Sequence, residues 1–195
     1  VSSQFNYVIC LASFNDKKIL LDATEKLLPT GLLPERCLNG SGLVISEKGH
    51  AWVDLQSKTK SRYVTTFDLT LSEEGTFTGK LLVERSGFDG LNGRKQILSK
   101  SEDEYVKTFV GDKPWQITSK EFSNVKELNQ PLKENYDLTI SESVTTGGDI
   151  MYINPILAGR TDENPFKLEK REYPVDYSSP FDRVYMCKIT LPDNY

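Results

Sequence analysis

Apolar and polar side chains alternate along much of the chain, which is the pattern of strands in a sheet with one buried face. In the clearest run, residues 62–71, the apolar Phe67, Leu69 and Leu71 alternate with polar residues. Runs of this kind predict a hairpin over residues 5–22 and further strands at 51–55, 62–71, 76–85, 115–122, 135–144, 149–153 and 183–191. The Gly147-Gly148 pair is typical of a hairpin turn.

One region departs from the alternation and has the pattern of a helix. Ser101 followed by Glu104 forms a capping pair, and Leu98, Tyr105 and Phe109 can share one helical face. We therefore predict a mainly β fold: an antiparallel, β-sandwich-like domain with a short helical insert at about residues 94–110, preceded by a β-hairpin.

A stretch rich in Pro and Gly at residues 29–49 interrupts the strands and predicts a loop, preceded by at most one helical turn at Thr24–Leu28. It gives the most plausible domain boundary, dividing the chain into residues 1–45 and 46–195. The chain opens in mid-pattern, without the basic and apolar segments of a signal peptide, so we expect it to be part of a longer protein.

The composition narrows the possible functions. Hydrophobic residues make up 37% of the chain and charged residues 27%, values that are ordinary for a globular domain. The net charge is -4 with both signs mixed along the chain, so no basic patch favours a nucleic-acid partner. No apolar run approaches the roughly 20 residues of a membrane-spanning helix.

The three cysteines fit neither a metal site nor a disulfide framework. Cys10 and Cys187 lie in strand-like runs, where we expect them to be small buried side chains. Cys37 lies in the predicted loop and is a candidate reactive thiol, although Arg36 is the only neighbouring cation in sequence. We expect no metal and no cofactor.

His50 is the single histidine, so any histidine-dependent site must use it. Its segment HAWVDL resembles the H-A-W-V-E segment that carries the catalytic histidine in transglutaminase-like enzymes. Asp68 could orient the imidazole, and Cys37 would be the nucleophile. This hypothesis describes a cysteine-dependent transferase or hydrolase, with Asp22 as an alternative to Asp68. The favoured interpretation is that His50 is a turn residue after Gly49.

A second resemblance covers both ends of the chain and, more weakly, its middle. Residues 5–42, FNYVICLASFNDKKILLDATEKLLPTGLLPERCLNGSG, resemble the end of the transglutaminase-like core in large bacterial proteins of the Bacteroidetes type. The segments MYINPIL, NPFKLEKREYPVDY and VYMCKITLPDNY resemble the C-terminal β domain of those proteins, whose function is unassigned. The segments LLPERCLNG and R-x-Y-P-V-D-Y are the most specific parts.

The resemblance assigns two vestigial active-site positions. Asp22 matches the catalytic aspartate of the family, and Tyr7 occupies the position of the catalytic histidine. The catalytic cysteine of the family would lie before Val1. A phenol, with an ordinary pKa of ~10, cannot replace a neutral imidazole as the base near pH 7. The resemblance therefore implies a triad that has lost its base.

The aromatic residues suggest a binding alternative. The alternation places Tyr63, Phe67, Phe77 and Tyr136 in a sheet core. By contrast, the pattern leaves the positions of four other aromatics open, namely Trp52, Trp115, Tyr173 and Tyr177. These side chains are candidates for a sugar- or peptide-binding platform.

The interpretation favoured by these observations is a non-catalytic accessory module. It would comprise the closing hairpin of a degenerate transglutaminase-like core and a β-rich domain. The upstream core would be its partner, with a peptide or glycan as a further ligand. By resemblance, the parent protein would be periplasmic or secreted. The alternatives are the cysteine-dependent enzyme and a carbohydrate-binding β-sandwich.

Overall fold

A computed structural model describes residues 5, 7–15, 17–148, 150–161, 163–164, 166–167, 169–170, 172, 175 and 177–193 of the protein. In chain order, the strands and helices are β1 (Cys10–Phe14), β2 (Lys17–Leu21), β3 (Ser41–Ser46), β4 (Gly49–Asp54), β5 (Ser61–Leu71), β6 (Phe77–Ser86), α1 (Gly87–Ser99), α2 (Glu102–Val110), β7 (Trp115–Ser123), β8 (Leu132–Ile140), β9 (Val144–Gly147), β10 (Ile150–Ile153) and β11 (Phe181–Thr190). The mainly β prediction with a short helical insert is confirmed.

The central element is a five-stranded sheet with the strand order β11-β5-β6-β8-β7. Neighbouring strands are antiparallel except β11, which runs parallel to β5 at one edge. The hairpin between β5 and β6 turns at Gly75, whose φ of 80° favours glycine. The predicted strands at 62–71, 76–85 and 115–122 correspond to β5, β6 and β7 within two residues at each end.

One face of this sheet forms the main hydrophobic core. Its second layer consists of α1, α2 and the hairpin of β9 and β10, which turns at Gly148 as the glycine pair predicts. The core side chains come from alternate positions of the strands and from the helices, and include Phe67, Leu69, Phe77, Leu81, Leu132, Tyr136, Leu138 and Ile140. Each fully buried aliphatic or aromatic side chain of this kind contributes about 1.5–3 kcal/mol.

An ion pair is buried inside this core. Arg85 Nε lies 2.8 Å from Glu134 Oε1, and the second carboxylate oxygen accepts hydrogen bonds from the hydroxyls of Tyr105 and Tyr136, both at 2.8 Å. The guanidinium also lies over the ring of Tyr63, 4.8 Å from its centre. The charge of Glu134 is thus compensated on each oxygen, which burial requires.

The helical insert is longer than the sequence predicts. α2 begins after Ser101, whose hydroxyl accepts a hydrogen bond from the Glu104 amide at 3.2 Å, as the capping pair predicts. By contrast, α1 begins at Gly87 rather than near residue 94. Glycine is favoured in the first half of α1 because this helix packs closely on the sheet. A Cβ on Gly93 would lie 2.7 Å from the side chain of Leu132.

The first part of the chain forms two separate hairpins, β1 with β2 and β3 with β4. The predicted hairpin over residues 5–22 is present, but its first strand begins at Cys10, and Asp16 of its turn lies outside the described residues. The predicted loop at 29–49 contains β3, which was missed. Phe5 and Tyr7, which precede β1, are 42% and 38% exposed.

The outer face of the five-stranded sheet is largely polar. Exposed ion pairs join Lys188 with Asp68, Lys80 with Asp137, and Lys133 with Glu84 across neighbouring strands. Solvated pairs of this kind contribute little to stability, about 0–1 kcal/mol each. This face therefore stays in contact with solvent while the other face carries the core.

Candidate functional site

Asp22 occupies a tight turn directly after β2. Its Oδ1 accepts hydrogen bonds from the Thr24 amide at 2.7 Å and from the Thr24 hydroxyl at 2.5 Å. An aspartate that bonds the amide two residues later forms an Asx-turn, which the local sequence Asp22-Ala23-Thr24 permits. The turn fixes the carboxylate at the end of the hairpin.

Tyr7 and Arg36 complete the group, which we call the Tyr7 network: Tyr7, Asp22, Thr24 and Arg36. The Tyr7 hydroxyl lies 2.8 Å from Thr24 Oγ1. Arg36 Nη2 donates to the Tyr7 hydroxyl at 2.8 Å and to Thr24 Oγ1 at 2.5 Å, and the guanidinium lies over the Tyr7 ring at 5.0 Å. The two positions that the family resemblance assigns, Tyr7 and Asp22, are thus linked through Thr24.

The pKa shifts in the Tyr7 network keep Asp22 negatively charged and Arg36 positively charged. Partial burial raises the pKa of Asp22, but the two hydrogen bonds from Thr24 and the positive charge of Arg36 outweigh it, so the pKa lies below its usual value. The hydrogen bond to Tyr7 raises the pKa of Arg36 above its usual value. The network thus holds a carboxylate and a guanidinium, and neither exchanges a proton near neutral pH.

Cys37 is close to this network in sequence but lies in an apolar setting. It ends a short 3-10 turn, Glu35–Cys37, and is 5% exposed, packed with Leu33 and Leu55. Burial raises the pKa of the Cys37 thiol, as does the negative charge of Asp22, while Arg36 lowers it. A catalytic cysteine needs the opposite shift.

His50 and Asp68 lie on different parts of the molecule. His50 is exposed and lies in strand β4, where it is paired with Ile45 next to the turn of the β3–β4 hairpin, rather than in the turn itself. Asp68 lies on the outer face of the five-stranded sheet, 3.2 Å from Lys188. Within the described part of the chain, no hydrogen bond or ion pair connects Cys37, His50 and Asp68.

The other two cysteines differ in exposure. Cys10 is exposed on β1, so the expectation that it is buried was wrong, because β1 belongs to a two-stranded hairpin with an open face. Cys187 is half-buried on β11 and packs against the main core, as a small apolar side chain.

The four aromatic residues left open by the sequence have different surroundings. Trp115 is buried in the main core, 5.7 Å from the ring of Phe67, and cannot serve as a surface platform. Trp52 is 65% exposed on β4, with the ring of Phe5 at 6.4 Å. Tyr177 is also exposed, while Tyr173 lies outside the described residues.

The described residues contain no cluster of three or more His, Cys, Asp or Glu side chains that could hold a metal ion. No helix in the same part of the chain is long and apolar enough to cross a membrane.

Sequence reasoning found Tyr7 and Asp22 and missed Thr24 and Arg36. Thr24 had a local signal, since a hydroxyl or amide two residues after an aspartate is the usual partner in an Asx-turn. Arg36 had none, because its contact with Tyr7 spans 29 positions and depends on the path of the loop between them.

Comparison with known protein families gives a match at the end of the chain. Residues 149–195 match a family described as a domain of unknown function with a solved structure, DUF3858. No curated protein and no solved structure matches the chain significantly. The matched segment contains β10 and β11, and β11 pairs with β5 from Ser61 to Thr70, so the match covers one edge of a sheet whose other strands lie outside it.

Proposed function

We propose that this chain is a non-catalytic, β-rich accessory module of a degenerate transglutaminase-like protein, with a structural or binding role. The observation that carries the proposal is the Tyr7 network. It joins Asp22, at the end of a hairpin, through Thr24 to Tyr7 and Arg36, and Tyr7 is the residue for which the resemblance expects a histidine.

The hydrogen bonds of Tyr7 support this reading. A general base near neutral pH must be unprotonated, and a phenol, with an ordinary pKa of ~10, is not. The Tyr7 hydroxyl accepts a hydrogen bond from Arg36, and Oδ1 of Asp22 accepts hydrogen bonds from the amide and the hydroxyl of Thr24. The network is thus suited to fixing the loop at residues 23–38 on the hairpin.

The resemblance also gives the proposal its setting. The module would follow an upstream transglutaminase-like core in a periplasmic or secreted protein and would position that core. The DUF3858 match agrees with this arrangement, because it covers the end of the chain that resembles the C-terminal β domain. Secretion of the full parent protein, measured by cell fractionation, tests the location.

An acyl-transfer assay tests the absence of catalysis. The chain and its Cys37→Ala variant are incubated with a glutamine-containing peptide and a fluorescent primary amine, and amide hydrolysis is followed in parallel. We expect the two proteins to give the same background rate, because Cys37 is buried and this burial raises the pKa of its thiol. Turnover by the unsubstituted chain, together with no turnover by the Cys37→Ala variant, would contradict the proposal and favour the cysteine-dependent enzyme.

A binding role has its own support in the exposed pair of Trp52 and Phe5. Exposed aromatic rings offer a flat apolar surface to a sugar or a peptide side chain. Titration with glycans and peptides while tryptophan fluorescence is recorded tests this role, and the Trp52→Phe variant, which retains buried Trp115, is the matched control. Quenching that the control lacks supports binding at Trp52. An unchanged signal across a broad set of ligands contradicts it.

A further inference from the structure

The free edge of β11 differs from the other edge of the five-stranded sheet. β7, at the opposite edge, carries a register irregularity between Ile117 and Ser119, a feature that discourages the addition of a further strand. β11 pairs with β5 in an unbroken register of ten residues, from Phe181 to Thr190. Among the residues that the structure describes, no other strand pairs with it.

The outer face of β11 has a distinctive order of side chains. Asp182, Val184, Met186 and Lys188 follow one another along the strand, with an acid at one end, a base at the other and two apolar residues between them. Met186, near the middle of the strand, is 48% exposed.

We propose that β11 is the interface for a second copy of this chain, paired antiparallel about a two-fold axis at Tyr185. In an antiparallel pair of strands, the numbers of two opposing residues have a constant sum. The two-fold axis makes each contact occur twice, once from each subunit. Asp182 then lies opposite Lys188 of the partner subunit, and Val184 lies opposite Met186 of the partner subunit. The charges at both ends are complementary, and the apolar side chains meet in the centre.

This register is the one that the side chains select. A shift of the axis by one residue, to Val184 or Met186, moves each strand by two positions and keeps the same face. In either shifted register Asp182 and Lys188 no longer oppose each other, and the charged pairs are lost. Cross-strand pairs of opposite charge and of apolar residues are the contacts that stabilise neighbouring strands.

The inner face of β11 is compatible with the same pairing. With the axis at Tyr185, Phe181 lies opposite the partner's Ile189, and Arg183 lies opposite the partner's Cys187. No like charges meet on either face. The two sheets would join into one continuous sheet with the helices of both subunits on the same side, and the two-fold symmetry closes the assembly at two copies.

The interface is small, because it consists mainly of one strand from each copy. Interfaces of this size give weak or transient association, so we expect dissociation constants of about 1–100 μM. Analytical ultracentrifugation of the chain from about 1 μM to about 1 mM covers this range. We expect a reversible shift from monomer to dimer, whereas a monomer at every concentration would overturn the proposal.

Charge exchange tests the register. Asp182→Lys places two lysines opposite each other at both ends of the interface, and Lys188→Asp places two acids there. Each single variant should weaken the dimer at least about tenfold, and the double variant Asp182→Lys/Lys188→Asp should return to within about threefold of the parent. Lys80→Asp, which reverses an exposed charge two strands from the edge, is the control and should leave dimerisation unchanged.

The double variant also separates this proposal from an effect within one chain. Asp182 contacts Lys60 and Lys188 contacts Asp68 in the same molecule, at 3.3 Å and 3.2 Å. Both contacts are lost in the double variant. If the loss of these contacts weakened the dimer, the double variant would therefore dimerise more weakly than either single variant. Recovery of the dimer supports the proposed register. Additive loss, or single variants that dimerise like the parent, would overturn it, provided that circular dichroism shows all variants to be folded.

Discussion

Replacing Glu134 with glutamine removes the negative charge that faces Arg85 inside the main core. Glu134 is fully buried and Arg85 is 8% exposed, so the guanidinium would remain in the core without its counter-charge. Breaking a buried ion pair in this way costs about 3–5 kcal/mol. The amide oxygen of glutamine can still accept from the hydroxyls of Tyr105 and Tyr136, which now donate to the carboxylate. We therefore expect a loss of about 3 kcal/mol, at the lower end of that range.

Urea unfolding followed by circular dichroism measures this loss as a change in the free energy of unfolding. Glu84→Gln is the matched control, because Glu84 also pairs across β6 and β8, with Lys133 at 3.1 Å, but on the outer face of the sheet. Its expected cost is at most about 0.5 kcal/mol.

A second variant tests the reasoning about the unpaired charge. Arg85→Met combined with Glu134→Leu removes both charges and should be more stable than Glu134→Gln alone, because no charge is left buried without a partner. Equal losses for Glu134→Gln and Glu84→Gln would refute the reasoning. A double variant less stable than the single one would refute it as well.

Three further predictions follow from other parts of the molecule. Because the pKa of Asp22 is lowered in the folded chain, its contribution to stability is present above about pH 4 and is lost as the pH falls through the folded value. Asp22→Asn should therefore reduce the loss of stability in acid titrations, and an unchanged acid profile would contradict this. Gly79→Ala should destabilise the chain by at least about 2 kcal/mol, since its Cβ would lie 2.2 Å from the Asp68 carbonyl oxygen; the neighbouring exposed Thr78→Ala is the control in urea unfolding. Burial raises the pKa of Tyr105 and also that of Tyr136, and the charge of Glu134 adds to both shifts. The two phenols should thus stay protonated while exposed tyrosines ionise in a spectroscopic titration, and their early ionisation in the folded chain would contradict the burial.

The strands of the central sheet could be predicted because their burial follows the alternation of the sequence. In β8, every second residue from Leu132 to Ile140 is buried, but the predicted strand at 135–144 begins three residues late and extends four residues too far, to the start of β9. The same alternation places Glu134 on the inner face, so the sequence contained a signal for a buried charge. Its partner, Arg85, could not be identified from the pattern alone, because the pairing of β6 with β8 depends on the order of the strands in the sheet.

Local preference failed where tertiary packing decides the structure. The helical insert was predicted only from about residue 94, but α1 begins at Gly87, and its close packing on the sheet favours residues without a Cβ, as at Gly93. β3 was hidden in a stretch rich in Pro and Gly, although it forms a regular hairpin with β4. The edge strand β11 was predicted as a strand, but its parallel pairing with β5 was not. Parallel pairing joins segments that are far apart in sequence.

The candidate site, too, could be predicted from the sequence only in part. Resemblance to a family marked Tyr7 and Asp22, and the structure places both in one hydrogen-bonded network. The contact of Arg36 with Tyr7 gives that network its cation, and no sequence pattern pointed to it. The loss of the base is thus an expectation from the resemblance, while the contact that fixes Tyr7 depends on the fold.

The pH dependence of Cys37 alkylation tests the central claim most directly. The chain is labelled with iodoacetamide across a pH series, and mass spectrometry of the peptides gives a rate for Cys37 and, for comparison, for the exposed Cys10. Because burial raises the pKa of Cys37, we predict slow labelling whose rate rises only above the ordinary thiol value of ~8.5. A Cys37 thiolate that titrates well below pH ~8 would contradict the non-catalytic account and favour the cysteine-dependent enzyme.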